Sequence, residues 1–329
     1  MKDIKVYMVL PAFSKSGGPE LGHQFVYLCN KNGISATVAY FNYDKYENPI
    51  NPDFAKYVDG WIPFEKIPDE DNVRIVFPES YIYFLKKFRK AKKYIWWMSV
   101  DNAFNYSFSL RTIKSRGLIW ALRQLKQGNV GFNRTIKSAD GHFYQSEYAR
   151  LFLERKGIKN VYPLSDYIND SFFGKAFDVS YKEDLVLYNP AKGYKFTKKL
   201  IDKNPQLKWV ALKNLTTAQV VELLKKGKVY IDFGHHPGKD RFPREAAISG
   251  CCIITGKRGA AKNDVDVEID AKYKFDEKAK NIGGIVALIE DCLVHYEDRI
   301  SDFAAYRLKI EKEKEIFERE AVKLAKEVF

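Results

Sequence analysis

The residues of this chain best suited to chemistry lie together in one stretch: Asp232-Phe233-Gly234-His235-His236-Pro237-Gly238-Lys239-Asp240-Arg241-Phe242-Pro243-Arg244-Glu245-Ala246-Ala247-Ile248-Ser249-Gly250-Cys251. His235, His236, Lys239, Arg241 and Arg244 crowd a segment shaped by Gly and Pro. Pro243 suits the first turn of a helix, and Gly250 suits its end. Loop cations beside free backbone N–H groups at a helix start are the chemistry of diphosphate binding. Glu245, early in that helix, can accept hydrogen bonds from ribose or sugar hydroxyls. Spacing supplies the two histidines with no third metal ligand, so no metal is expected there.

Other segments offer chemistry of the same kind. In Tyr188-Asn189-Pro190-Ala191-Lys192-Gly193, Lys192 is placed to neutralise a diphosphate leaving group, though a solvated loop lysine would read the same. In Ser16-Gly17-Gly18-Pro19-Glu20, Gly17 and Gly18 let backbone approach a ligand ahead of a helix start. Glu20 is either a polar group at that site or simple helix-start chemistry. The dinucleotide fingerprint GxGxxG is absent, which argues against a dehydrogenase. Asp101 follows Trp96-Trp97-Met98-Ser99-Val100; it is a catalytic carboxylate or, as such residues more often are, a cap or ion-pair partner. Asp264-Val265-Asp266 has the spacing of a metal-binding acidic pair but sits after Gly259-Ala260-Ala261 and reads as a surface turn.

These residues need a scaffold, and the apolar pattern describes one. Short apolar runs alternate with helical stretches: strands are expected over 4–10, 36–41, 73–77, 94–100, 141–145 and 160–163, with helices over 21–31, 113–126 and 146–156. The rhythm restarts with strands at 185–189, 207–211, 229–233, 251–255 and 267–269, and helices at 196–203, 217–226 and from about Pro243. Alternation of this kind reads as doubly wound parallel sheets. An N-terminal Rossmann-like domain over 1–165, a linker over 166–183 and a second such domain over 184–301 follow. Residues 302–329, rich in Lys, Glu and Ala, read as one long helix, which returns to the first domain in one arrangement of such a chain. Ligands of doubly wound sheets sit at the carboxyl ends of the strands, where the motifs fall.

At 329 residues, 46% hydrophobic and 29% charged, the chain has room for two cores. No apolar run approaches the roughly 20 residues of a membrane span, and the N-terminus does not read as a signal peptide. A cytoplasmic protein is expected, peripheral on the inner face of a membrane if its charge is used there. Four cysteines without metal-ligand spacing read as reduced thiols. The net charge of +13 is concentrated: residues 81–139 hold thirteen Lys/Arg against one acid, Asp101. A local excess of this size points to an anionic partner. The mixture of Phe104, Tyr106, Leu110, Leu118, Ile119, Trp120 and Leu122 with Arg111, Lys114, Arg116 and Arg123 suits a membrane interface.

Taken in order, GGPE…HQ, WWxSVDN, NPxKG and HHPGKDRxPREAAxSGC resemble bacterial polysaccharide-type glycosyltransferases with the GT-B fold. The resemblance implies two Rossmann-like domains facing across a cleft, with a nucleotide-sugar donor held mainly by the second and a glycan or lipid-linked acceptor by the first. It implies Glu245 on the donor ribose, Lys192 on the diphosphate, no metal cofactor, and a place in surface polysaccharide synthesis. Retaining members carry two glutamates separated by seven residues; the earlier position is Pro237 here, which leaves inversion or retention open. For an acceptor base, Asp101 ranks first and Glu20 second. A sugar-nucleotide epimerase or hydrolase of the same fold stays open. A basic nucleic-acid-binding protein is disfavoured, because the loop motifs would go unexplained.

Overall fold

The computed structural model describes residues 3–174 and 177–329. Among these residues the strands are β1 (Lys5–Pro11), β2 (Ser35–Phe41), β3 (Trp61–Pro63), β4 (Val73–Pro78), β5 (Lys92–Trp97), β6 (Gly141–Tyr144), β7 (Val161–Pro163), β8 (Glu183–Tyr188), β9 (Lys208–Ala211), β10 (Gly227–Asp232), β11 (Cys252–Gly256) and β12 (Lys274–Phe275). The helices are α1 (Gly17–Lys31), α2 (Val100–Asn105), α3 (Leu110–Arg116), α4 (Leu118–Lys126), α5 (Phe132–Lys137), α6 (Glu147–Arg155), α7 (Tyr194–Lys203), α8 (Thr217–Lys226), α9 (Arg241–Ile248), α10 (Ile282–Val294), α11 (Tyr296–Ser301), α12 (Ala304–Glu311) and α13 (Glu313–Glu327). The chain divides into one unit of residues 1–166 with 315–329 and a second of 167–314.

The first unit is built on a parallel sheet in the order β3-β2-β1-β4-β5-β6-β7. Its central strands are apolar on both faces because helices cover both, and Val9, Ile75, Val76 and Ile95 are fully buried. The strand order reverses between β1 and β4, so the carboxyl ends of those strands frame a crevice. Residues 315–329 pack in this unit. Phe317 stacks on Trp96 at 6.2 Å, Arg74 donates to the Phe329 carbonyl, and Glu320 accepts from the Ser165 amide and hydroxyl, both at 2.7 Å.

The second unit carries a parallel sheet in the order β12-β11-β10-β8-β9. Here the order reverses between β8 and β10, and this places the segments after those two strands side by side. They are residues 189–193 and 233–240, the two motif loops of this half. Topology brings together what the sequence keeps forty residues apart.

Some expected elements differ. The helix expected over 113–126 is two helices, because Gly117 takes φ +87° between them. The tail is likewise two helices rather than one, with the break at Lys312. No strand forms over 267–269; Val267 and Ile269 are buried in irregular chain ahead of β12. All four cysteines are buried and free.

Candidate functional site

In the second unit the loops after β8 and β10 touch backbone to backbone. Gly193 has φ +62°, and a Cβ there would lie 2.3 Å from the Phe233 carbonyl oxygen. On its other side the second loop meets Gly259, also at φ +62°, where a Cβ would lie 2.0 Å from the His236 carbonyl oxygen. That carbonyl accepts from the Ala260 amide at 2.8 Å. The segment 233–236 is therefore held between two glycines, each required because any side chain would occupy a neighbour's backbone.

Between the clamps lies a charged cluster. His236 is fully buried, with Nε2 3.4 Å from Asp232 Oδ1 and Nδ1 3.3 Å from Asp240 Oδ2. Neither contact is well aligned as a hydrogen bond. Burial alone would lower the His236 pKa, but the facing Asp232 and Asp240 carboxylates raise it overall. Burial alone would raise that of Asp232; His236 and the Gly234 amide bring it below the ordinary carboxylate value. One ligand atom from each of Asp232, His236 and Asp240 falls within 4.8 Å of the others, a grouping that spacing did not suggest. Lys192 Nζ, however, sits 2.5 Å from Asp240 Oδ2, so Asp240 already has a cation. Asp240 stands at the N-cap of α9 without capping it by its side chain.

Arg244 does not stand in an open loop. It is fully buried, donating to Glu313 Oε2 at 2.6 Å and to the carbonyls of Asp240 and Lys239. Lys239 pairs with the other Glu313 oxygen at 2.6 Å. The sequence reading made both cations diphosphate ligands; the structure gives them an internal partner on α13 and shapes the loop with them. His235 and Arg241 are half-buried at the same loop, and Glu245 lies buried on α9.

Beside Lys192 opens a cavity of about 760 Å³ lined by Tyr188, Asn189, Tyr194, Leu212, Asn214 and Phe242, among others. Its volume and aromatic walls suit a nucleotide-sized ligand. Tyr188 and Tyr194 stack at 6.2 Å across its rim. The sequence reading missed these lining residues. The signal available was a tyrosine on each side of Asn189-Pro190-Ala191-Lys192-Gly193, but an aromatic next to a strand is usually core.

In the first unit Gly17 and Gly18 are the first residues of α1, and Glu20 lies buried in its first turn. Asp101, in the first turn of α2, ion-pairs with Arg111 and accepts from the Tyr148 hydroxyl at 3.2 Å. Just past the carboxyl end of β4 lies a carboxyl that sequence reading passed over. Glu79 follows β4, is buried, and accepts from the Met98 amide at 3.0 Å. Burial pushes its pKa up to about 7, against the lowering effect of its backbone hydrogen bonds. The fold thus binds this proton more tightly than the unfolded chain does, and stability falls as pH rises from about 4.5 to about 7. Glu79→Gln should follow the parent near pH 5 and exceed it at pH 8 by on the order of 2–3 kcal/mol in urea unfolding. A difference that does not change with pH would show that Glu79 does not titrate in this range.

Asp264-Val265-Asp266 forms a turn. Asp264 pairs with Lys274 at 2.8 Å, and Asp266, buried rather than on the surface, accepts from the Asn263 side chain.

No family model and no curated protein sequence matches the chain. Solved structures do. TarM matches with a TM-score of 0.56 and 15% identity over 80% of this chain, which spans 56% of that protein. Sucrose-phosphate synthase from Thermosynechococcus elongatus matches with a TM-score of 0.68 and 12% identity, over 99% of both chains. Anabaena HepE in complex with UDP-glucose matches with a TM-score of 0.60 and 12% identity, over 98% of this chain and 99% of that one. At these identities the likeness is one of fold. The chain has the GT-B glycosyltransferase fold, built from two Rossmann-like units.

Proposed function

We propose that this chain is a glycosyltransferase that takes a UDP-sugar and passes the sugar to a glycan or lipid-linked glycan in surface polysaccharide synthesis. The observation that carries the reading is the cavity between the loops after β8 and β9, lined by Ala191 and Tyr194 on either side of Lys192 and by Phe242 in the first turn of α9. The base lies between the aromatic walls. Lys192 and the N-terminal end of α9 receive the diphosphate, with His235 and Arg241 beside them, and Glu245 receives the ribose. The HepE complex, which holds UDP-glucose, supports a uridine donor.

In the reaction, the bond from the anomeric carbon to the diphosphate oxygen breaks, and a bond to the acceptor oxygen forms. The acceptor proton passes to a carboxylate, and the nucleoside diphosphate leaves with the bond electrons. Lys192 and the helix N-terminus stabilise that departing charge. Asp101, which pairs with Arg111 and accepts from the Tyr148 hydroxyl, and Glu20 are the candidate proton acceptors. With Lys192 already on Asp240, transfer proceeds without a divalent metal.

Lys192→Ala should weaken UDP binding by about 1.5–3 kcal/mol through loss of a charge-assisted contact, measured by calorimetry on a variant of unchanged melting temperature. Activity should survive excess EDTA. Unchanged affinity would remove the diphosphate assignment, and activity lost to EDTA and restored by manganese would make the Asp232, His236 and Asp240 group a metal site instead. Free sugar released at the same rate without acceptor would point to a hydrolase.

A further inference from the structure

In the first unit, α4 is folded inside out. Its buried positions are Ala121 and Gln124, whereas Leu118, Ile119, Leu122 and Leu125 are 56%, 88%, 48% and 45% exposed. Residues 118, 122 and 125 recur one turn apart, so the apolar side chains form a stripe along the solvent side of the helix. Leu110, at the start of the preceding helix α3, is a further aliphatic side chain at 79% exposure. Burying a glutamine while exposing four aliphatic residues forgoes hydrophobic stabilisation in the isolated chain, and a contiguous apolar surface of this kind marks an interaction site.

The surroundings of the stripe identify the partner. Lys114, Arg116, Arg123 and Lys126 are exposed on the same two helices, and Arg134 and Lys137 on α5. Between Tyr81 and Ala139 the one acid is Asp101, already paired with Arg111. Among the described residues no helix is long and apolar enough to cross a membrane.

We propose that the α3–α4 face docks on an anionic lipid bilayer, its leucines and Ile119 entering the headgroup boundary and its bases meeting lipid phosphates. A second copy of the chain would bring the same positive surface against this one and be repelled. Nucleic acid would engage the bases but has no use for an exposed aliphatic stripe. The inference stands on exposure and charge alone and does not depend on the donor or the reaction.

The test is co-sedimentation of the full chain with phosphatidylcholine vesicles, with and without phosphatidylglycerol, at low and high salt. Binding should require the anionic lipid and fall with salt. Ile119→Ser with Leu122→Ser should weaken it at least about tenfold, and Arg116→Ser with Arg123→Ser and Lys126→Ser by about fivefold per base. Because these side chains are exposed, the melting temperature should hold in both variants. Negligible binding to anionic vesicles at low salt would overturn the proposal. So would full binding by the Ile119 and Leu122 variant together with equal, salt-sensitive retention on duplex DNA, which would make the face a generic polyanion surface.

Discussion

Glu313→Ala should destabilise the second unit by about 3–5 kcal/mol, a larger effect than loss of any exposed ion pair in the protein. Glu313 is the shared acid of Lys239 and Arg244 and is itself buried. Its removal takes from the fully buried Arg244 guanidinium the carboxylate oxygen it meets at 2.6 Å. Breaking a buried pair from one side costs far more than replacing the pair, so Arg244→Met with Glu313→Leu should recover much of the loss. The exposed pair Lys198–Asp202, more than half solvent-accessible on both sides, provides the contrast, with an expected cost near 0.5 kcal/mol. Denaturant unfolding of the three variants decides the matter. A Glu313→Ala cost under about 1 kcal/mol would mean that Arg244 finds water, and that the loop after β10 does not depend on this anchor.

Gly259→Ala should have the next largest effect, on the order of 3 kcal/mol, and should reach the loop after β10. A methyl group there would lie 2.0 Å from the His236 carbonyl oxygen, and the backbone at φ +62°, ψ −136° is one that side chains rarely permit. Either the turn at Gly259 or the segment carrying His236 must move. Since His236, Asp240 and Lys192 form one chain of charges, UDP affinity should fall along with stability. Gly60→Ala is the control: a Cβ at Gly60 meets nothing within 4 Å, and the substitution should be neutral or slightly stabilising. Equal melting temperatures for the two variants would remove the clamp from the account.

His236 titrates in the same sense as Glu79, in a higher pH range set by its own ordinary value. His236 has its pKa raised in the fold, so its contribution to stability is full below the ordinary histidine pKa of about 6.5 and is lost as pH rises through the folded value.

Much of this molecule follows from the sequence alone. The apolar runs at 4–10, 73–77, 185–189 and 229–233 read as parallel strands because consecutive apolar residues suit a strand covered on both faces. Alternation with helices then leaves a doubly wound sheet as the natural solution. The placement of Lys192 and of residues 233–240 after strands was readable for the same reason. The concentration of positive charge over residues 81–139 required only counting. What the sequence could not determine is which side each side chain faces. Lys239 and Arg244 read as loop cations, yet their anion lies some seventy residues later, on a helix whose approach only the packed unit specifies. The apolar and basic residues over 104–123 read as a mixture suited to an interface, but only the fold shows that α4 buries Ala121 and Gln124 and turns Leu118, Ile119, Leu122 and Leu125 to solvent. Glu79 was one acid after one strand until burial gave it a pKa near neutrality. Periodicity and composition are properties of neighbours in the chain; charge partners, burial and clamping glycines belong to neighbours in space, and those exist only once the sheets have formed.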